Sequence, residues 1–116
     1  ARLNFQSGSG VRMISHFSQF PGPIIRTGQI YHFQGLTSDG KYYVIAILPV
    51  MSPLQSTVDN PSADGINFPD YASAAPVEMD AYYQAIADKL NAADPSAFSP
   101  SLDMLDELIQ SITTNP

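Results

Sequence analysis

The sequence predicts an α+β domain, in which an antiparallel β-sheet of about four strands is packed by two C-terminal α-helices. β-rich runs separated by glycine-containing turns fill residues 1–50, and apolar residues recur at helical spacing in residues 76–112. Residues 51–76 show neither period and predict a long irregular loop, with Phe68 and Tyr71 as candidates for anchoring it. At 116 residues, the whole chain has the length of a single domain.

The first two predicted strands are residues 1–6 and 11–20, joined by the turn Ser-Gly-Ser-Gly. Leu3 and Phe5 alternate with polar residues, and glycine supplies the positive φ that tight hairpins need. A rival interpretation is an artificial linker, because NFQSGSG resembles a protease-site remnant followed by a flexible spacer. Pro21 ends the second strand, because proline has no N–H to donate to the ladder.

The most informative stretch, GQIYHFQGLTSDGKYYVIAILPV, predicts a second hairpin. Its strands cover about residues 29–36 and 41–50, and Asp39-Gly40 suits a type I turn that ends in a left-handed glycine. Both faces of the second strand are apolar. One face carries Tyr43, Ile45 and Ile47, and the other carries Tyr42, Val44, Ala46 and Leu48. Such a strand is predicted to lie in the middle of the sheet, covered on both faces.

Two helices are predicted after the loop, each with apolar residues three or four positions apart. The stripe of the first consists of Met79, Tyr82, Tyr83, Ile86 and Leu90, and that of the second of Leu102, Leu105, Leu108, Ile109 and Ile112. Pro76 suits an early position of the first helix, and Pro95 ends it by disfavouring helical backbone at the preceding residue. Ser99 is the predicted N-cap of the second helix, with Pro100 at the first helical position.

The formal charge of −6 is distributed unevenly. Residues 1–41 carry four cations against Asp39 alone, whereas residues 42–116 carry ten carboxylates against Lys89 alone. This pattern argues against nucleic acid, since phosphate binding requires clustered Lys and Arg, and against anionic lipid. The chain has no cysteine, which excludes disulfide, iron–sulfur and thiolate–zinc chemistry. No apolar run approaches the ~20 residues of a membrane span, so no transmembrane segment is predicted.

The sequence carries no catalytic or metal-binding signature, and no catalytic residue, metal site or cofactor is predicted. His16 and His32 lie on neighbouring predicted strands, where they could form an acid–base pair. A hydrolase that uses one of them with a loop carboxylate therefore stays open as an alternative. The loop carboxylates concerned are Asp59, Asp64 and Asp70.

Aromatic and polar residues on the third and fourth strands indicate where a ligand would bind. Aromatic side chains on a sheet can stack against ligands, although they also fill sheet cores. The predicted ligand-binding residues are Tyr31, His32, Gln34 and Tyr42. A cluster of carboxylates early in the second helix has a sufficient structural explanation, because the helix dipole favours their ionised form. These carboxylates are Asp103, Asp106 and Glu107.

Two blocks of the sequence are similar to one known pattern. Residues 10–12 and 31–50 are similar to G-V-R followed by F-x-F-Q-G-L-T-x-D-G-(K/R)-Y-Y-V-x-A-x-L-P-V, and residues 98–112 are similar to F-T-P-x-L-x-x-L-D-x-L-I-x-S-I. In these blocks the chain resembles an uncharacterised domain of predicted secreted proteins and lipoproteins of bacteria. His32 stands where that family's block has Thr or another polar residue, which argues against a shared catalytic role for it.

The resemblance implies an extracytoplasmic location, in the cell envelope or secreted, and a preceding N-terminal segment that could carry a lipid anchor. Because the chain opens in what resembles the middle of a strand, we expect a C-terminal fragment of a longer precursor, and the preceding segment could add strands to the sheet. The expected function is a non-catalytic binding or accessory domain, which presents a sheet face or the loop to a protein or small ligand. A structural or assembly domain, in which a hairpin edge or helix stripe meets another subunit, is a further alternative.

Overall fold

The computed structural model describes residues 1–16, 22–70, 73 and 75–113. These residues form four strands and two α-helices, which confirms the predicted α+β fold class. The elements are β1 (Arg2–Phe5), β2 (Gly8–His16), β3 (Gln29–Thr37), β4 (Tyr43–Val50), α1 (Pro76–Ala92) and α2 (Leu102–Gln110), with a 3₁₀ turn at Pro95–Ala97. The second predicted strand is described as far as His16, and the rest of its predicted range lies outside the described residues.

The four strands form one antiparallel sheet in the order β1-β2-β3-β4. Val11 on β2 lies opposite Gln34 on β3, which lies opposite Ile45 on β4. Because side chains alternate along a strand, this register sorts them onto two faces. We call the face that carries Tyr31 and Phe33 the helix-covered face, and the face that carries Val11 and Ile45 the open face.

The main hydrophobic core lies between the helix-covered face and α2. Tyr31 and Phe33, the central residues of this core, are fully buried. The buried members are Phe5, Tyr31, Phe33, Val50, Phe98, Leu102, Leu105 and Ile109. The predicted apolar stripe of the second helix is therefore confirmed at its three buried positions and at Ile112, which packs partly buried against the core just after α2, whereas Leu108 is exposed.

A second, smaller core joins α1 to the long loop. Leu54 of the loop packs with Tyr82 and Ile86 of α1. Phe68 contacts the Tyr82 ring edge-on at a centroid distance of 5.1 Å, which confirms it as an anchor of the loop. Tyr71, the other predicted anchor, lies outside the described residues. The described part of the loop is therefore irregular in backbone but folded against the first helix.

The prediction that the fourth strand lies in the middle of the sheet is wrong. β4 is an edge strand of the sheet of described residues, and Tyr43, Ile45 and Ile47 on its open face are 53–59% exposed. The alternation of its side chains is as predicted, but the helices pack on the opposite face of the sheet. The central position belongs to β3, whose inward side chains are the most deeply buried in the core.

The first hairpin also turns earlier than predicted. Gln6 and Ser7 form the turn, so Gly8 and Gly10 lie inside β2. These glycines serve close packing, because a Cβ on Gly10 would lie 2.1 Å from the Gln34 carbonyl oxygen and 2.7 Å from the Phe33 ring. Phe33 thus lies directly over the backbone at this point, and no larger residue fits beneath its ring. Residues 2–5 and 8–10 lie in β1 and β2.

The start of the second helix differs from the prediction as well. Ser101, and not Ser99, is the N-cap of α2, and its hydroxyl accepts a hydrogen bond of 3.2 Å from the Met104 amide. Ser99 instead exchanges two backbone hydrogen bonds with Met51, of 2.8 and 2.9 Å. This bridge holds Ser99 in an extended pairing with the end of β4, which excludes the role of helix cap.

We expect Gly10→Ala to destabilise the protein by about 1–3 kcal/mol, because the added methyl group overpacks the space beneath Phe33. Urea unfolding monitored by circular dichroism measures the change. Ser9→Ala is the matched control, since Ser9 is exposed. Equal midpoints for the two variants would contradict this packing.

Candidate functional site: the open face of the sheet

The open face is the most unusual surface among the described residues, because it is apolar and lacks a covering layer. Six large apolar side chains on it are 47–59% exposed. They are Val11, Met13, Leu36, Tyr43, Ile45 and Ile47. Soluble monomers rarely expose contiguous apolar patches larger than a few hundred Å², and larger patches commonly mark interaction sites.

A row of polar side chains runs along the middle of this face. His32 and Gln34 project from β3, between apolar residues of β2 and β4. The Gln34 amide nitrogen lies 2.9 Å from His32 Nε2, and the Tyr43 hydroxyl donates to Gln34 Oε1 at 2.6 Å. The polar groups of this row therefore bind one another and hold their side chains in a fixed arrangement.

The predicted ligand-binding residues are divided between different surfaces. His32 and Gln34 lie on the open face, but Tyr31 points to the helix-covered face and is fully buried. Tyr42 precedes β4, and its amide donates to the Thr37 hydroxyl at 3.0 Å within the hairpin turn. Tyr43, which sequence reasoning assigned only to a strand face, is the aromatic residue that completes the polar row.

Tyr31 has a structural role in attaching α2 to the sheet. Its hydroxyl donates to Asp106 Oδ1 at 2.6 Å, and Arg12 binds the two oxygens of the same carboxylate at 3.2 and 3.4 Å. Burial, with the hydrogen bond to Asp106, raises the pKa of Tyr31 well above its ordinary value. The role of Asp106 was missed, although the carboxylate stands four residues after Leu102 and three before Ile109, on the apolar side of the helix.

The two histidines do not come together. His16, at the end of β2, lies on the helix-covered face, whereas His32 lies on the open face. Among the loop carboxylates, Asp64 has a side chain that is only 3% exposed and forms an ion pair with Lys89 at 3.7 Å. Across the described part of the chain, no group of three or more His, Asp or Glu side chains could hold a metal ion.

Asp64 is a structural carboxylate of the loop. It accepts hydrogen bonds from the Gln55 and Ser56 amides at 2.8 and 3.0 Å. Burial alone would raise the pKa of Asp64, but these hydrogen bonds and the Lys89 cation outweigh it and lower the pKa below its usual value. Its ionised form therefore holds the loop against α1.

A cavity of about 470 Å³ lies at the end of the sheet where β3 begins and β4 ends. Its lining contains no side chain that titrates. Gln29 borders it, is 2% exposed, and has a buried Oε1 without a hydrogen-bond partner among the described residues. The cavity thus offers no acid–base pair, and His32, Gln34 and Tyr43 of the polar row are not part of its lining.

Comparison with known proteins returns no likeness: no family model, curated protein or solved structure matches this chain. In the described residues, neither helix is long and apolar enough to cross a membrane. The open face is accordingly the feature on which a functional conclusion rests.

We expect Asp106→Asn to destabilise the protein by about 1–3 kcal/mol, because Arg12 loses its anionic partner in a half-buried site. Chemical denaturation at pH 7 measures the loss. Glu107→Gln, on the exposed side of the same helix, should change stability by less than about 0.5 kcal/mol. A similar effect of the two substitutions would show that the Asp106 cluster does not hold the helix to the sheet.

We expect Asp64→Asn to destabilise the protein at pH 7 by about 1–3 kcal/mol, with a penalty that shrinks on acidification. Because folding lowers the pKa of Asp64, its stabilisation is complete above the unfolded-state pKa and is lost as pH falls through the folded-state pKa. Denaturation curves between pH 7 and 2.5 test this, with Asp59→Asn as the exposed control. A penalty that is independent of pH would contradict the assignment.

Proposed function

We propose that this chain is a non-catalytic binding domain, which binds a partner protein through the open face of its sheet. The observation that carries the proposal is the combination, on one face of the sheet, of six half-exposed apolar side chains with an internally hydrogen-bonded polar row. Apolar side chains supply the free energy of association, and fixed polar groups supply specificity.

The composition of the face favours a protein over a small ligand. The exposed aliphatic side chains extend over three strands and form a broad surface, whereas small molecules bind in concave sites that enclose most of their area. Val11, Ile45 and Ile47 are β-branched, so they lose little rotamer freedom when a partner covers them. A broad apolar surface with stiff side chains is suited to packing against another protein surface.

A binding role also agrees with the positions of the residues that could have supplied catalysis. In the described residues, His16 and His32 occupy opposite faces, and Asp64 is already bound by backbone amides and Lys89. The hydrolase alternative requires a histidine and a loop carboxylate in one cleft, and no observation favours it. The resemblance to predicted secreted proteins and lipoproteins of bacteria supports placing this domain in the bacterial cell envelope or outside the cell.

Site-specific photo-crosslinking in the producing cells tests this proposal. A benzoylphenylalanine residue at position 47 is expected to form a defined protein adduct, because Ile47 lies within the apolar part of the face. The same residue at position 77 is the matched control, since Val77 is an exposed aliphatic residue on α1. Absence of an adduct at position 47, or equal adducts at both positions, would overturn the proposal.

A further inference from the structure

We propose that the partner of the open face is a second copy of this chain, so that two sheets pack face to face in a symmetric dimer. This inference rests on the proposed function, because it names the occupant of the same surface. Three properties of the face support a second copy: the distribution of charge, the arrangement of its polar and apolar rows, and its area.

The distribution of charge favours association through this face. The chain carries a formal charge of −6, and all eleven of its carboxylates lie outside the four strands. Arg2, at the margin of the sheet, is the one charged residue that the strand register places on the open face. Two acidic copies that met through their helices would bring like charges together, whereas the open faces bring together almost none.

The rows of the face are complementary to themselves. The register places Met13, His32 and Ile47 side by side, with the polar residue in the middle. Val11, Gln34 and Ile45 repeat the same order. A two-fold axis over β3 would set the polar row of one copy against that of the other, and apolar rows against apolar rows.

Burial of the polar row is tolerated because its groups already bind one another. The Gln34 amide nitrogen forms a hydrogen bond with His32 Nε2, and the Gln34 amide oxygen accepts a hydrogen bond from the Tyr43 hydroxyl. A buried polar group is costly mainly when it lacks a hydrogen bond, and these three side chains would enter the interface with bonds in place. The donors and acceptors that remain on one copy would face the same groups on the other.

The area of the face is sufficient for a stable dimer. Strands about 4.8 Å apart, with a rise of about 3.4 Å per residue, give this face a flat area of roughly 500 Å². Projecting side chains make the accessible area larger, so two copies would together remove more than about 1,000 Å² from water, the lower limit for a specific interface. Aligned sheets in β-sandwiches pack in this manner, about 10 Å apart.

Sedimentation velocity over about 1–500 μM chain tests the inference. We expect the wild-type chain to shift from a monomer of 12.6 kDa to twice that mass across this range. Ile47→Lys should weaken the association at least 100-fold, because a buried lysine would lack a partner in the apolar row. Val77→Lys introduces the same charge on α1 and should leave the association unchanged. Association through the open face should also persist at 1 M NaCl, since few charges take part.

A wild-type chain that stays monomeric at 500 μM, a dimer that a folded Ile47→Lys variant retains, or a dimer that Val77→Lys disrupts would overturn the inference. If Ile47→Lys does not fold, Gln34→Glu serves as the second variant, because it places a charge at the middle of the same face. This variant should dissociate the dimer, and an unchanged dimer would again overturn the inference. A monomeric chain that crosslinks through position 47 to a different protein would refute the dimer and leave the proposed function intact.

Discussion

The attachment of α2 to one face of the sheet is the interaction on which the rest of the structure depends. Leu102, Leu105 and Ile109 of α2 cover Tyr31 and Phe33 of the central strand. Asp106 adds a polar connection within this apolar contact, because it binds Tyr31 and Arg12 from two neighbouring strands. The carboxylate therefore fixes the position of the helix relative to the sheet, while burial of the apolar stripe supplies most of the stabilisation.

The same attachment leaves the other side of the sheet open. α1 packs with the loop in a separate small core, so neither helix contributes a covering layer to the open face. β4 is consequently exposed both at its edge and on one face, and its sequence, YVIAILPV, contains no charged residue. Long apolar edge strands are usually protected by charges, bulges or covering elements. In this chain Pro49 is the interruption within β4, and a partner on the open face would cover the rest of the strand's outward side chains.

The sequence was informative where one local rule decided the outcome. Alternation and the Asp39-Gly40 turn predicted the second hairpin, where Gly40 has a φ of +73°, and helical spacing predicted both helices. The location of β4 could not be predicted in this way, because a strand with two apolar faces has the same pattern whether its second face is covered within the chain or by another molecule. The glycines of β2 were misassigned to a turn, since close packing beneath Phe33 leaves no mark in a single sequence.

The candidate site was predicted in part, for a related reason. His32 and Gln34 were placed correctly on one surface, but Tyr31 was separated from them by the alternation of the third strand itself. The contribution of Tyr43 depends on the register of β4 against β3, which two-residue periodicity alone does not fix. The buried role of Asp106 required knowledge of which side of the helix faces the sheet.

Association of two copies through the open face is tested most directly by the rate of methionine oxidation by dilute peroxide, measured as a function of protein concentration. Met13 on the open face is 48% exposed and Met104 on α2 is 64% exposed, so one chain contains both the probe and its reference. If two copies associate through the open face, we expect comparable rates for the two residues in dilute solution and selective protection of Met13 at high concentration. Protection of Met13 at every dilution, or equal rates at every concentration, would contradict such association.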